Sequence, residues 1–250
     1  MEFGFTEDQD KLRKEGHDFF VESFPEDYRP DLVIFPEGRE IEAFRREIRK
    51  KAVDKGYPTA GWPKKYGGMG FTAIEQAIVS EELSYWGWRW ETGYSFSLVG
   101  PTTLAVGSEE QKERWIPAIA RGEAECHQVF TEPDAGSDEA NVQMRAVEDG
   151  GDFILNGQKV FISGASKPDW LYTLVKTKDV YPKHRGLSLI MVPGDAPGVS
   201  YRALPTMGGS QQNQIFFDDV RVPKQNLLGE IDRGFYYAMA TFEFERSSVP

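Results

Sequence analysis

Cysteine is almost absent from this 250-residue chain: Cys126 stands alone, so no disulfide can form within it. The three histidines, His17, His127 and His184, are scattered, and with one thiol they offer no zinc-ligand spacing and no metal site. Positive charge is also scarce. Lys and Arg number 29 against 40 Asp and Glu, a net charge of −11, which argues against a nucleic-acid or anionic-membrane surface. A small pocket that holds phosphate through a few donors is still allowed. No uncharged apolar run approaches the ~20 residues of a membrane span, and the acidic opening MEFGFTEDQD lacks the apolar core of a secretory signal. The G-x-G-x-x-G fingerprint and the Walker lysine are missing as well, which leaves the common nucleotide folds unsupported. Together these absences lead us to expect a soluble protein that is not secreted: cytoplasmic, or of the mitochondrial matrix in a eukaryote.

What is present is the composition of a folded protein, 40% hydrophobic and 13% aromatic. The first half reads helical. Thr6-Glu-Asp-Gln9, Thr72-Ala-Ile-Glu75 and Ser108-Glu-Glu-Gln111 each fit the capping box that starts a helix. Ile41, Phe44, Ile48 and Ala52 recur at helical spacing, as do Trp115, Ile116 and Ile119. Beyond Gly122 the runs shorten and become β-branched: 142–147, 153–155, 159–162, 171–175, 187–192 and 215–222, with turn groups such as Asp149-Gly-Gly-Asp152 and Asn156-Gly157 between them. After Gly234 the pattern turns helical again. The expected fold class is therefore an α+β multidomain chain. An N-terminal all-α helical domain spans 1–123, an all-β sandwich or barrel spans 124–233, and 234–250 begins a further helix.

Two stretches carry candidate chemistry. In Gln128-Val-Phe-Thr-Glu-Pro-Asp-Ala-Gly-Ser-Asp138 a strand ends in hydroxyls, acids and a glycine. Thr131 and Ser137 can donate to a ligand and Gly136 permits close backbone approach; an ordinary turn capped by Asp134 and Asp138 fits the same residues. In Asn156-Gly-Gln-Lys-Val-Phe-Ile-Ser-Gly-Ala165, Asn-Gly signals a hairpin and the following strand ends at Ser163. Taken alone, Phe161 there fits a core residue better than a cofactor platform. The aromatic run Tyr85-Trp-Gly-Trp-Arg-Trp90 fits core or interface packing best, and a narrowed pocket second.

In combination these stretches resemble the acyl-CoA dehydrogenase family. The resemblance extends in order through Trp62-Pro-Lys-Lys-Tyr-Gly-Gly-Met-Gly70, Gly107-Ser-Glu-Glu-Gln-Lys112, Thr131–Asp138, Asn156–Lys159, Ala196–Val199 and Phe216-Phe-Asp-Asp-Val-Arg-Val-Pro223. It implies FAD held between a helical domain, a β-domain and a C-terminal four-helix bundle that would follow Pro250. By matching, Gln128, Phe130 and Thr131 would line the flavin ring, with Gly136 and Ser137 at the FAD pyrophosphate or the CoA arm. Phe161, where the family commonly has Trp, would lie against the flavin face beside Ile162 and Ser163, and Thr177 would approach a CoA phosphate. The implied reaction converts an acyl-CoA to a trans-2-enoyl-CoA, a carboxylate taking the α-proton while the flavin takes the β-hydrogen. Glu245 matches the alternative base position of a minority of members, flanked by Phe242, Glu243, Phe244 and Arg246 on the substrate side. The segment 96–104 matches the helix along the acyl pocket. The resemblance further implies an electron-transfer flavoprotein or similar acceptor, and a homo- or hetero-oligomer formed through the bundle. A catalytically silent subunit, an acyl-CoA oxidase and a flavin monooxygenase-like relative are the alternatives on the same fold.

Overall fold

The computed structural model describes residues 4–24, 26, 41–86, 93–164, 167–207 and 211–247. They divide into two compact units, residues 1–93 with 120–122, and residues 94–119 with 123–250. Residues 87–90 of the aromatic run, and Ala165, lie outside the described residues.

The first unit is helical: α1 (Glu7–Ser23), α2 (Ile41–Asp54) and α3 (Ala73–Tyr85). Its helix starts follow from the capping chemistry. The Gln9 N–H donates to Thr6 Oγ1 at 3.3 Å while Gln9 Oε1 accepts from the Thr6 N–H at 3.0 Å, and Thr72 and Glu75 repeat the reciprocal pair at α3. The helical stripe places Phe44, Ile48 and Ala52 inside. Phe44 and Ile48 join Phe20, Phe24, Tyr57, Val79, Leu83 and Trp86 in one core. Phe24 and Phe44 meet edge to face at 5.3 Å. Trp86 thus belongs to the core, while Tyr85 is exposed. In the Gly-rich loop, a Cβ on Gly68 would fall 2.1 Å from the Trp62 carbonyl oxygen, so only glycine fits there.

The second unit begins with a π-helical turn, Ser95–Val99, that runs into α4 (Gly100–Val106), followed by α5 (Glu109–Ala120). Ser108 and Gln111 complete the third capping box. Eight strands follow: β1 (Cys126–Val129), β2 (Arg145–Asp149), β3 (Asp152–Ser163), β4 (Trp170–Lys176), β5 (Leu187–Pro193), β6 (Val199–Pro205), β7 (Gln211–Pro223) and β8 (Leu227–Leu228). They form one sheet in the order β6-β7-β3-β2-β4-β5-β8, with β1 added to β4 in parallel. Its core includes Val129, Phe153, Leu155, Ile162, Leu171, Val175, Ile190, Val192, Ile215, Val220 and Val222. The α+β class expected from the sequence is the one observed, helices first and then a sheet.

The sequence reading places a turn at Asn156-Gly157, and there the structure differs. The β2–β3 hairpin turns at Gly150-Gly151 instead, with Asp149 opposite Asp152. β3 runs straight through Asn156-Gly157, with a register shift against β7 at that point. Gly157 has φ +146° and a Cβ there would crowd Met144, while Asn156 exchanges two 2.9 Å hydrogen bonds with Asp219. The local turn chemistry makes a β-bulge, not a chain reversal.

The last element, α6 (Gly234–Ser247), is seated by a buried polar hub. Thr241 Oγ1 donates to the Tyr237 carbonyl at 2.9 Å and lies 2.8 Å from Tyr172 Oη on β4 and 3.0 Å from Thr102 Oγ1 on α4. Among the described residues no helix is long and apolar enough to cross a membrane.

Candidate functional site

The sheet presents a ledge at β1. This strand pairs with β4 alone, Cys126 opposite Trp170 through Val129 opposite Thr173. Its other edge therefore has no strand partner among the described residues; the Cys126 N–H donates to Ser95 Oγ at 2.7 Å, and the edge beyond it is where backbone groups could meet a ligand. The chain leaving β1 is held from beneath by Lys159, which is fully buried. Its Nζ donates to the Phe130 carbonyl at 2.8 Å, the Leu174 carbonyl at 2.6 Å and Glu132 Oε1 at 2.9 Å. Glu132 in turn accepts from the backbone N–H groups of Gln143 and Met144 at 2.7 and 2.9 Å. Burial pushes the Lys159 ammonium below its ordinary value, and the neighbouring Glu132 opposes that. With every Lys159 proton matched to an acceptor, the pair clamps residues 130–132 to β3 and β4. Lys159 and Glu132 appear in the sequence motifs, but no local pattern marks them as buried partners.

Along the ledge, Gln128 and Thr131 are half-buried. Phe130 is buried against Tyr172 and Phe242 and its carbonyl is held by Lys159, which leaves its N–H as the group a ligand could meet. The Thr131 carbonyl accepts from the Val160 N–H at 2.9 Å. The side chain of Ile162 is in the sheet core, and the residue is paired with Asn213 of β7. The hydroxyls of Thr131, Ser137 and Ser163 have no hydrogen-bond partner among the described residues. Thr177 differs: its hydroxyl donates to Asp232 Oδ1 at 2.6 Å and lies 2.7 Å from Ser188 Oγ. It thus ties β4 to the turn before α6.

Phe161 is the most telling side chain on β3. It is 62% exposed, and its φ of +58° lies in the left-handed region that non-glycine residues avoid. That backbone costs about 1–2 kcal/mol, so an exposed aromatic ring is kept at an energetic expense, as at functional sites. Replacing Phe161 with Gly is expected to leave stability within about 1 kcal/mol of wild type, because relief of strain offsets the greater entropy of Gly. Chemical denaturation checks this; a core phenylalanine would lose about 3–5 kcal/mol.

A cavity of about 520 Å³ brings together Gly136, Ser137 and Glu139 from the loop after β1 with Phe242, Glu245 and Arg246 from α6. A Cβ on Gly136 would meet nothing within 4 Å, so approach there is open. Of the residues singled out in the sequence, Gly136, Ser137, Phe242, Glu245 and Arg246 converge here. Exposed Glu243 and half-buried Phe244 do not line it. Glu139 is not among the residues the sequence singles out: nothing in its spacing distinguishes it from the solvated acids around it. Burial, reinforced by Glu132 and Asp138 and opposed by Lys159, raises its carboxyl to about 7. Such a group contributes most to stability below about pH 4.5, where it is neutral whether folded or not, and that contribution is lost as pH rises to about 7. Glu139→Gln is thus expected to gain on the order of 1 kcal/mol at pH 8 and nothing below pH ~4.5, read from thermal melts across pH.

The helix expected along an acyl pocket starts as the π-helical turn Ser95–Val99, an irregularity frequent at functional sites. Phe96, Leu98, Val99, Thr102 and Thr103 are buried there, and Thr103 Oγ1 has no hydrogen-bond partner among the described residues. The single thiol, Cys126, is pushed up to about 12 by burial and is inert.

The class is thus a helical unit followed by a β-sheet unit, the latter with an unpaired strand edge and a cavity between the loop after β1 and the helix that follows the sheet. Residues 6–123 match the acyl-CoA dehydrogenase N-terminal domain and residues 128–220 the acyl-CoA dehydrogenase middle domain. The chain belongs to the acyl-CoA dehydrogenase family. It is 32% identical over 252 residues to acyl-CoA dehydrogenase FadE26 of Mycobacterium tuberculosis, matching all of this chain and 63% of that protein. The solved ChsE4-ChsE5 complex from Mycobacterium tuberculosis superposes with a TM-score of 0.82 at 32% identity, covering 98% of this chain and 61% of that one. The Tcur3481-Tcur3483 steroid ACAD does so with a TM-score of 0.82 at 33% identity, covering 99% and 64%. The chain thus spans somewhat under two thirds of the length of these relatives.

Proposed function

We propose that the chain is the N-terminal and middle part of an FAD-dependent acyl-CoA dehydrogenase, which converts an acyl-CoA thioester to a trans-2-enoyl-CoA. The observation that carries this reading is the meeting in one cavity of the Gly136-Ser137 turn with Glu245 and Arg246. In this reading residues 1–123 are the N-terminal domain, 124–233 the middle domain, and 234–250 the opening of a C-terminal bundle.

The residues present fit a flavin. The open edge of β1 offers the backbone of Gln128, and the chain leaving it offers the N–H groups of Phe130 and Thr131. The Thr131, Ser137 and Ser163 hydroxyls are uncommitted, and the exposed Phe161 ring can stack on a planar heterocycle. When bound, FAD would supply the acceptor for the β-hydrogen. Glu245, exposed where it lines the cavity with Phe242, would hold the α-proton, and Arg246 would balance its charge and steer the anionic thioester into the cavity. The Lys159–Glu132 clamp would fix the Phe130–Thr131 backbone against which the flavin is oriented. A soluble electron-transfer flavoprotein or similar carrier would reoxidise the protein, which would work in the cytoplasm or mitochondrial matrix.

The visible spectrum of the purified protein tests the reading. A flavin band that bleaches anaerobically on addition of an acyl-CoA is expected; a colourless protein that takes up no FAD would overturn it. Prompt reoxidation by air would move the protein to the oxidases or monooxygenases of the fold. A second reading is favoured by the two solved relatives, each described by a pair of chains: this chain would be one subunit of a hetero-oligomer that shares its site with the other. Flavin bound only after co-expression with such a partner would support it.

A further inference from the structure

We infer that Glu139 is a ligand-contacting residue of the cavity, presenting a carboxylic O–H at Oε1 to a hydrogen-bond-accepting oxygen, amide carbonyl or phosphate, on the carrier arm of a bound CoA thioester. This rests on the acyl-CoA reading and adds to it a polar contact that is switched by pH.

Glu139 lines the same cavity as Ser137, Glu245 and Arg246. Its Oε2 is shut away from solvent with no hydrogen-bond partner among the described residues, which leaves Oε1 as the accessible oxygen. A buried, unpartnered carboxylate oxygen carries charge and is far costlier than the carbonyl oxygen of a neutral acid. The proton is therefore best placed on Oε1, the oxygen that can meet a ligand.

The surroundings point the same way. Asp138 and Glu132 come from its own loop, and Lys159 from β3. Glu245 and Arg246 come from α6. Lys183, His184 and Arg185 come from a 3₁₀ turn that packs against the turn Glu139–Asn141. Two of these cations are already engaged: Lys159 with its three acceptors, and Lys183 with Asn141 Oδ1 at 2.7 Å. Glu132 and Asp138 disfavour a further negative charge. Burial is the main reason the proton is retained to about pH 7. Below about pH 7, then, Glu139 offers the cavity a neutral donor. Above that range Glu139 becomes an anion facing an anionic ligand.

Binding of dephospho-CoA to the purified protein tests this, because its pyrophosphate charges do not titrate between pH 6 and 8. If only the neutral form of Glu139 accepts the ligand, the dissociation constant rises about tenfold from pH 6 to pH 8, given a carboxyl near 7. Glu139→Gln, a permanent neutral donor of the same shape, is expected to vary by less than about twofold over that range and to bind at pH 8 much as wild type does at pH 6. A wild-type constant that stays flat, or tightens as pH rises, overturns the inference, the latter because Glu139 would then accept from a ligand N–H. The wild-type profile decides this even if the variant fails to fold. Absence of dephospho-CoA binding at every pH overturns the acyl-CoA reading itself, and so is distinguishable from failure of the Glu139 assignment.

Discussion

Lys159→Met is expected to cost the folded state about 3–5 kcal/mol, the largest loss among the single substitutions considered for stability. The substitution keeps an unbranched side chain of similar length but removes the ammonium. Glu132 would then be a buried carboxylate without its cation, and the Phe130 and Leu174 carbonyls would lose their donor. Breaking a buried pair by removing one partner is costly because the remaining charge cannot be rehydrated. Removing the second charge as well, in Lys159→Met with Glu132→Gln, should recover part of the loss, and the difference measures their coupling. Denaturant unfolding gives both values; a loss below about 1 kcal/mol for the single variant would mean the clamp contributes little. The same variant should retain less flavin, since the backbone at Phe130 and Thr131 is set by that clamp.

Helix starts are the most legible part of the fold. A hydroxyl and an acid or amide three residues on satisfy backbone groups locally, so Thr6, Thr72 and Ser108 announce their helices without reference to the rest of the chain. The stripe of Phe44, Ile48 and Ala52 is equally local. The Asn156-Gly157 bulge is not legible, because whether Asn-Gly reverses a chain or bulges it depends on Asp219 across the sheet, 63 residues away. β6 escapes a reading by apolar runs because its residues are largely exposed or half-buried. In the site, the loop 131–138 and α6 can be singled out by motif, but their convergence on one cavity is tertiary. Glu139 and the burial of Lys159 are tertiary too: an acid or a lysine gains such a character only from the elements folded over it.

Glu245→Gln is the substitution with the largest expected effect on activity. Amide for carboxylate keeps the shape and the hydrogen-bonding reach but cannot hold the α-proton. Turnover of an acyl-CoA is expected to fall by about 10²–10⁴-fold. The spectral perturbation on ligand binding should persist, because Arg246, Ser137 and the proposed flavin-binding residues are untouched. Loss of binding together with turnover would assign Glu245 to binding. Unchanged turnover would place the base on another residue of the protein.

The most direct test of the central claim is the mass of an acyl-CoA recovered after anaerobic incubation with the purified protein and an artificial electron acceptor. The account predicts a product two hydrogens lighter than the substrate, formed as the acceptor is reduced and nearly abolished in Glu245→Gln. An acyl-CoA recovered at unchanged mass with the acceptor still oxidised, from protein that carries its flavin, would contradict it.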